Sequence, residues 1–171
     1  MNEKEYSILV VDDDDLVREL VATYLEREYS CDTASGAERA LEKMVDNNYN
    51  ILITDLVMPG GSALDLLEFV KEAQLDTIVI VMSGTVDEFI EWEVLNGGAF
   101  EYLRKPFDLS EIQVAVERAL IYQAFYNDAR LYEQWFGNGR AEEGIKFELA
   151  ESGSPDAKAV GMSATAIVPA A

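Results

Sequence analysis

The chain has 171 residues, enough for one domain with a buried core. Its 13 basic and 33 acidic residues give a formal net charge of −20. Such a surface repels phosphate backbones, so we expect no direct binding of nucleic acid. High solubility explains the acidity more simply than a basic partner does. Histidine is absent, which excludes imidazole ligands and any phosphohistidine on this chain.

Cysteine content and hydropathy limit the cellular compartments in which the protein is expected. Cys31 is the single cysteine, so no disulfide forms within the chain and a reducing cytosol is favoured. No apolar run is long enough to span a bilayer, and the first five residues lack the pattern of a signal peptide. We therefore expect a cytoplasmic protein without a membrane partner.

Short apolar runs alternate with amphipathic segments along the first part of the chain. Five runs predict strands: Ser7–Val11, Ser30–Ala34, Ile51–Thr54, Thr77–Met82 and Phe100–Leu103. Several are almost wholly apolar, as is typical of strands covered on both faces. This alternation predicts an α/β fold, a doubly wound five-stranded parallel sheet built from five β-α units within about 122 residues.

Helix starts are predicted by a capping residue followed three positions later by an acid. The pairs are Ser35 with Glu38, Ser62 with Asp65, Thr85 with Glu88, and Asp108 with Glu111. In the stretch VVDDDD, Val10–Asp15, we expect Asp14 and Asp15 at the start of the first helix, where its dipole favours acids. The last helix is predicted over residues 109–136 and is unusually aromatic.

Polar side chains follow four of the predicted strands at the point where each strand ends. They are Asp12 and Asp13, Asp55, Ser83 and Lys105. The carboxyl ends of parallel strands share one edge of the sheet, so these side chains should converge. Three carboxylates without histidine or thiolate suit Mg²⁺.

A carboxylate can also attack phosphorus, and the charge that develops needs cations and donors such as Lys105 and Ser83. Gly84, beside Ser83, leaves room for a phosphoryl group. Each of these residues alone is explained as a helix cap or a solvated charge. Together they indicate phosphoryl transfer to an aspartate.

Four blocks resemble the receiver domain of two-component response regulators over about residues 5–122. They are ILVVDDDD, ILITDLVMPGG, VMSGT and GAFEYLRKPFD. The resemblance implies a flavodoxin-like strand order, 2-1-3-4-5. One departure follows Met58-Pro59-Gly60, where the family commonly has an apolar residue and then Asp-Gly. This chain has Gly61-Ser62-Ala63 instead.

The resemblance also implies a role for each site residue. Asp55 is expected to accept the phosphoryl group, with Mg²⁺ held by Asp12, Asp13, Asp55 and the backbone carbonyl of Val57. Ser83 and Tyr102 are expected to act as the switch pair and Lys105 to bind phosphoryl oxygens. The peptide bond before Pro106 is expected to be cis.

The implied function is that of a phosphorelay response regulator. A sensor histidine kinase or a histidine phosphotransfer protein would donate the phosphoryl group, and a downstream protein target would read the change. The domain would catalyse only its own phosphorylation and slow dephosphorylation. An alternative is a receiver-like interaction module that works without phosphorylation. A hydrolase is disfavoured because Val57, two residues after Asp55, supplies no general acid.

The predicted organisation is a receiver domain over residues 1–122, a helical extension over 123–136 and a small tail over 137–171. In the tail, GIKFELAES and MSATAIV have the alternation of a short β-ribbon. Disorder, or the start of a longer output region, are alternatives. The surface of the fourth helix, fifth strand and fifth helix, or the extension, is expected to bind either a partner protein or a second copy of the chain.

Overall fold

The computed structural model describes residues 5–85 and 87–136, with side chains up to residue 127. Its strands are β1 (Ser7–Val11), β2 (Ser30–Ala34), β3 (Ile51–Asp55), β4 (Val57–Met58), β5 (Gly61–Ser62), β6 (Ile78–Ser83) and β7 (Glu101–Arg104). Its helices are α1 (Asp15–Leu25), α2 (Ala37–Asp46), α3 (Ala63–Glu72), α4 (Glu88–Asn96) and α5 (Leu109–Phe136).

Five strands form one parallel sheet in the order β2-β1-β3-β6-β7. With β6 and β7 as the fourth and fifth predicted strands, this is the expected doubly wound order, and the fold prediction is confirmed. A two-stranded antiparallel ribbon, β4 with β5, was not predicted. It follows the last residue of β3 and leads into α3.

Two apolar clusters cover the two faces of the sheet, because alternate strand residues point to opposite sides. On one face, Leu9 and Leu52 pack with side chains of α2, α3 and α4. On the other face, Ile8 and Ile53 pack with side chains of α1 and α5. The central strands are therefore buried on both sides, as their apolar sequences predict.

Three helix starts agree with the prediction. Asp14 caps α1, where its Oδ1 accepts the backbone N–H groups of Leu16 and Val17. At the start of α3, the Asp65 carboxylate accepts the backbone N–H of Ser62 at 2.7 Å. At the start of α5, the Glu111 carboxylate accepts that of Asp108 at 2.9 Å.

The predicted caps Ser35 and Thr85 are wrong. Gly36 precedes α2, in an extended conformation and without a side-chain cap. Asp87 caps α4 by accepting the N–H of Phe89 at 2.9 Å. Thr85 is instead held in the preceding loop by hydrogen bonds of its own backbone, described below.

Helix α5 begins and ends where the sequence predicts. Gln123 is buried and accepts a hydrogen bond from the Asn50 side chain at 3.1 Å, so the contacts of α5 with the sheet continue past residue 122. The compact unit that contains the sheet reaches Arg130, and a second unit begins at Leu131. The predicted ribbon over residues 137–171 lies outside the described residues.

Within the described residues, no helix combines the length and the apolar composition needed to cross a bilayer.

Candidate functional site

The carboxyl ends of β1, β3 and β7 bring three charged side chains together. Lys105 Nζ donates hydrogen bonds to Asp12 Oδ2 and to Asp55 Oδ1, each at 2.7 Å. Asp12, Asp13 and Asp55 each offer a carboxylate oxygen, and these oxygens lie within 4.8 Å of one another. Residues separated by up to 93 positions in the chain thus meet at one edge of the sheet.

The backbone after β1 explains why the first acid faces inward. The N–H of Asp12 donates to the carbonyl of Ala34 at 3.2 Å, which extends the pairing of β1 with β2 by one residue. Asp12 Oδ1 then accepts the N–H of Asp14 at 2.9 Å, so the chain turns at once into α1. Asp12 is consequently only 1% exposed, whereas Asp13, Asp14 and Asp15 are exposed.

The charges in this cluster oppose one another. Burial raises the pKa of Asp55, and the nearby charge of Asp12 raises it further; together they outweigh the lowering by hydrogen bonds from Lys105 and from the backbone of Val57. Burial lowers the pKa of Lys105, but its bonds to Asp12 and Asp55 reverse this and leave its pKa raised. One ammonium therefore faces three carboxylates.

This excess of hard oxygen ligands fits a divalent cation such as Mg²⁺. Asp12, Asp13 and Asp55 are the side chains that would hold it. The backbone carbonyl of Val57 remains a predicted ligand.

Ser83 and Tyr102 are joined through the backbone of Thr85. Ser83 is buried, and its Oγ accepts the N–H of Thr85 at 3.0 Å. The Tyr102 hydroxyl donates to the carbonyl of Thr85 at 3.3 Å. A change at the Ser83 hydroxyl can thus reach Tyr102 through one residue.

Three further positions shape the edge of the site. The Lys105–Pro106 peptide bond is cis, the isomer expected from the resemblance. A Cβ added at Gly84 would meet nothing within 4 Å, so open space lies beside Ser83. A Cβ added at Gly61 would lie 2.6 Å from Ala37 Cβ, so the apolar residue common in the family has no room there.

Arg18 is a site residue that the sequence analysis missed. Its Nη1 donates to the backbone carbonyl of Asp12 at 2.7 Å, and its Nη2 donates to the carboxylate of Asp15. The available signal was the spacing of Asp15 and Arg18, an acid and a base on one helical face. That spacing gives no indication of the contact with Asp12.

Known protein sequences identify the family to which this arrangement of residues belongs. A family model described as the response regulator receiver domain matches residues 8–117. The DNA-binding transcriptional regulator NtrC of Azospirillum brasilense is 38% identical over 115 residues, which is 67% of this chain and 24% of NtrC. The transcriptional regulatory protein ResD of Bacillus subtilis is 32% identical over 117 residues, 68% of this chain and 48% of ResD. The matched part of the chain thus spans about a quarter of the length of NtrC and about half of the length of ResD.

Solved structures give the same result. A response regulator receiver domain protein from Clostridium thermocellum has a TM-score of 0.67 and 29% identity, covering 71% of this chain and 98% of that one. The response regulator TrrA of Thermotoga maritima, solved with Mg²⁺ and BeF, has a TM-score of 0.61 and 32% identity, covering 67% and 98%. The chain belongs to the response regulator receiver domain family.

Proposed function

We propose that Asp55 receives a phosphoryl group from a sensor histidine kinase or a histidine phosphotransfer protein, in a Mg²⁺-dependent reaction that switches a protein-interaction surface. The observation that carries this proposal is the pair of 2.7 Å hydrogen bonds from Lys105 to Asp12 and Asp55, with Asp13 beside them. Three carboxylates and one ammonium leave this cluster with an excess of negative charge. Three acids around one ammonium suit a site that also takes a cation and a phosphoryl group.

In the proposed reaction, a carboxylate oxygen of Asp55 attacks the phosphorus of a phosphohistidine. The new O–P bond forms while the P–N bond breaks, and the imidazole nitrogen leaves with the electron pair. The histidine must belong to another protein, because this chain has none. Mg²⁺, when bound, would neutralise charge on the phosphoryl oxygens.

Lys105 supplies a second positive charge for the phosphoryl oxygens. Its bond to Asp12 can hold the ammonium in place while its other bond moves from Asp55 to the phosphoryl group. Ser83 Oγ accepts from Thr85, which leaves the hydroxyl proton available for a phosphoryl oxygen. These chain residues stabilise charge where it develops, as phosphoryl transfer requires.

The contacts of Ser83 and Tyr102 with Thr85 could carry the effect of phosphorylation from Asp55 to the protein surface. Phosphorylation adds about −1.5 to −2 charges at Asp55. If Ser83 turns toward them, its bond to Thr85 breaks, and the bond between Thr85 and Tyr102 is disturbed. Tyr102 lies on β7, which Arg104 ties to Glu91 of α4. A coupling of about 1–3 kcal/mol would change partner affinity about 5–150-fold.

A downstream protein is the expected reader of this surface. Phe89 and Trp92 stack at 6.2 Å on α4, and both are exposed, as are Ile121 and Phe125 on α5. Such side chains suit a protein partner or a second copy of the chain. DNA binding, named for the NtrC relative, concerns a protein of which this chain covers 24%. We retain the expectation of no direct nucleic-acid contact and of a cytoplasmic location.

Labelling with acetyl phosphate and Mg²⁺ tests the proposal. Wild-type protein should acquire an acid-labile phosphoryl group, and Asp55→Asn should lose it, because the amide is not a nucleophile. Asp46→Asn, the same change at an exposed position at the end of α2, is the matched control and should label like wild type. Full labelling of Asp55→Asn would show that the acceptor lies elsewhere.

A further inference from the structure

Arg18 makes its polar contacts away from the three clustered carboxylates. It binds the backbone carbonyl of Asp12 at 2.7 Å and the carboxylate of Asp15. The Arg18 side chain is 12% exposed, whereas that of Asp15 is 82% exposed. An exposed ion pair alone contributes little to stability. The covered guanidinium, however, also reaches the backbone of the loop that carries the acids.

The bond to the Asp12 carbonyl fixes one peptide plane. That carbonyl and the N–H of Asp13 belong to the same planar unit, so holding the oxygen limits how Asp13 projects. The Asp12 side chain has its own restraints, from the N–H of Asp14 at 2.9 Å and from Lys105 at 2.7 Å. The Asp13 side chain is exposed, and no described group donates a hydrogen bond to it. Its direction therefore depends on the backbone.

We infer that Arg18 is a positioning residue for the cation site. It holds the peptide between Asp12 and Asp13 so that the Asp13 carboxylate stays within 4.8 Å of the other two. This inference rests on the proposed function, because it takes these carboxylates as the Mg²⁺ ligands. Unlike Lys105, Arg18 makes neither of its bonds to a carboxylate of the cluster, so it does not compete with a cation for those oxygens.

Position and charge predict opposite effects when Arg18 is removed. By charge alone, deleting a cation near a cation site makes Mg²⁺ bind more tightly. By position, the loss of a group that orients a ligand weakens metal binding, typically 10–100-fold. A merely structural role would lower the free energy of unfolding and leave the affinity of the folded protein unchanged. The sign of the change in affinity separates the three explanations.

The test is the Mg²⁺ dissociation constant from titration calorimetry at fixed ionic strength. Arg18→Met keeps the apolar stem and is expected to bind Mg²⁺ about tenfold more weakly than wild type. Arg39→Met is the matched control. It removes the same charge from another helical i,i+3 pair, Arg39 with Glu42 at 2.8 Å, and should not weaken binding. If Arg18→Met does not fold, Arg18→Gln takes its place with the same expectation.

Asp13→Asn separates failure of this inference from failure of the proposed function. If Asp13→Asn weakens Mg²⁺ binding but Arg18→Met binds as tightly as wild type or more tightly, the positioning role is wrong and the cation site stands. If wild type binds no Mg²⁺, or Asp13→Asn matches it, the cation site itself is wrong and the role of Arg18 falls with it.

Discussion

Asp55 combines two requirements that conflict, because a nucleophile must be ionised while burial favours its neutral form. Its pKa is raised mainly by burial, against the pull of Lys105. The convergence of Asp12, Asp55 and Lys105 could be predicted from the sequence, because each follows a strand and parallel strands end at one edge. The target of Arg18 could not, since a long side chain can reach several groups and only the folded loop selects one.

The raised pKa predicts how stability depends on pH. The folded protein keeps the Asp55 proton to a higher pH than the unfolded chain, whose value is near 3.8. The free energy of unfolding therefore falls as pH rises through the folded pKa. Asp55→Asn lacks this loss. In EDTA, the stability of Asp55→Asn relative to wild type should grow as pH rises from the unfolded value near 3.8 through the raised folded pKa of Asp55, as measured by urea unfolding.

A stability difference between Asp55→Asn and wild type that stays constant or shrinks as pH rises would contradict this account. It would mean that the ammonium of Lys105 compensates fully for the burial of the ionised carboxylate.

At the scale of elements, the β4–β5 ribbon shows where sequence patterns stop being informative. Strands of two residues carry no periodicity, so nothing in the sequence predicts the pairing of Val57 with Ser62. The ribbon lies against the start of α2, since Ala37 fills the space that a side chain at Gly61 would need. The wrong cap at Thr85 has a related cause. Capping patterns are local, whereas Thr85 is held by Ser83 and Tyr102.

Alanine at the two glycines tests this packing. Gly61→Ala places a Cβ 2.6 Å from Ala37 Cβ and should lower the free energy of unfolding by about 1–3 kcal/mol, because the backbone must shift. Gly84→Ala is the matched control. Its Cβ meets nothing within 4 Å, so the change should stay within about 0.5 kcal/mol. Equal stabilities of the two variants in chemical denaturation would show that the ribbon does not pack against α2 in this way.

At the scale of the whole molecule, the sheet order and both apolar clusters follow from the alternation of apolar runs and helical stripes. The hydrogen bonds that anchor α5 do not follow from that alternation. Gln123 donates to the backbone carbonyl of Asp76 at 2.6 Å and accepts from Asn50, and such a buried polar link has no signature in a hydrophobic pattern. Charge acts at the same scale, because a net charge of −20 makes the folded chain repel itself.

This charge predicts two separable effects of added salt on thermal stability. NaCl should raise the melting temperature of wild type and of Asp13→Asn alike, by screening repulsion. Mg²⁺ at matched ionic strength should raise the melting temperature of wild type further, because at 100 times its dissociation constant it adds about 2.7 kcal/mol to the free energy of unfolding. Asp13→Asn should lose most of this increment. If wild type gains nothing from Mg²⁺ beyond NaCl, a phosphorylation-independent interaction module becomes the better account.

The central claim is that Asp55 carries the phosphoryl group, and mapping the modified residue tests it most directly. Protein labelled with acetyl phosphate and Mg²⁺ is treated with borohydride, which reduces an aspartyl phosphate to homoserine, and the peptides are sequenced by mass spectrometry. We predict homoserine at position 55 alone, and none when Mg²⁺ is replaced by EDTA. Homoserine at Asp12, Asp13 or any other aspartate, or none in protein that has bound Mg²⁺, would contradict the claim.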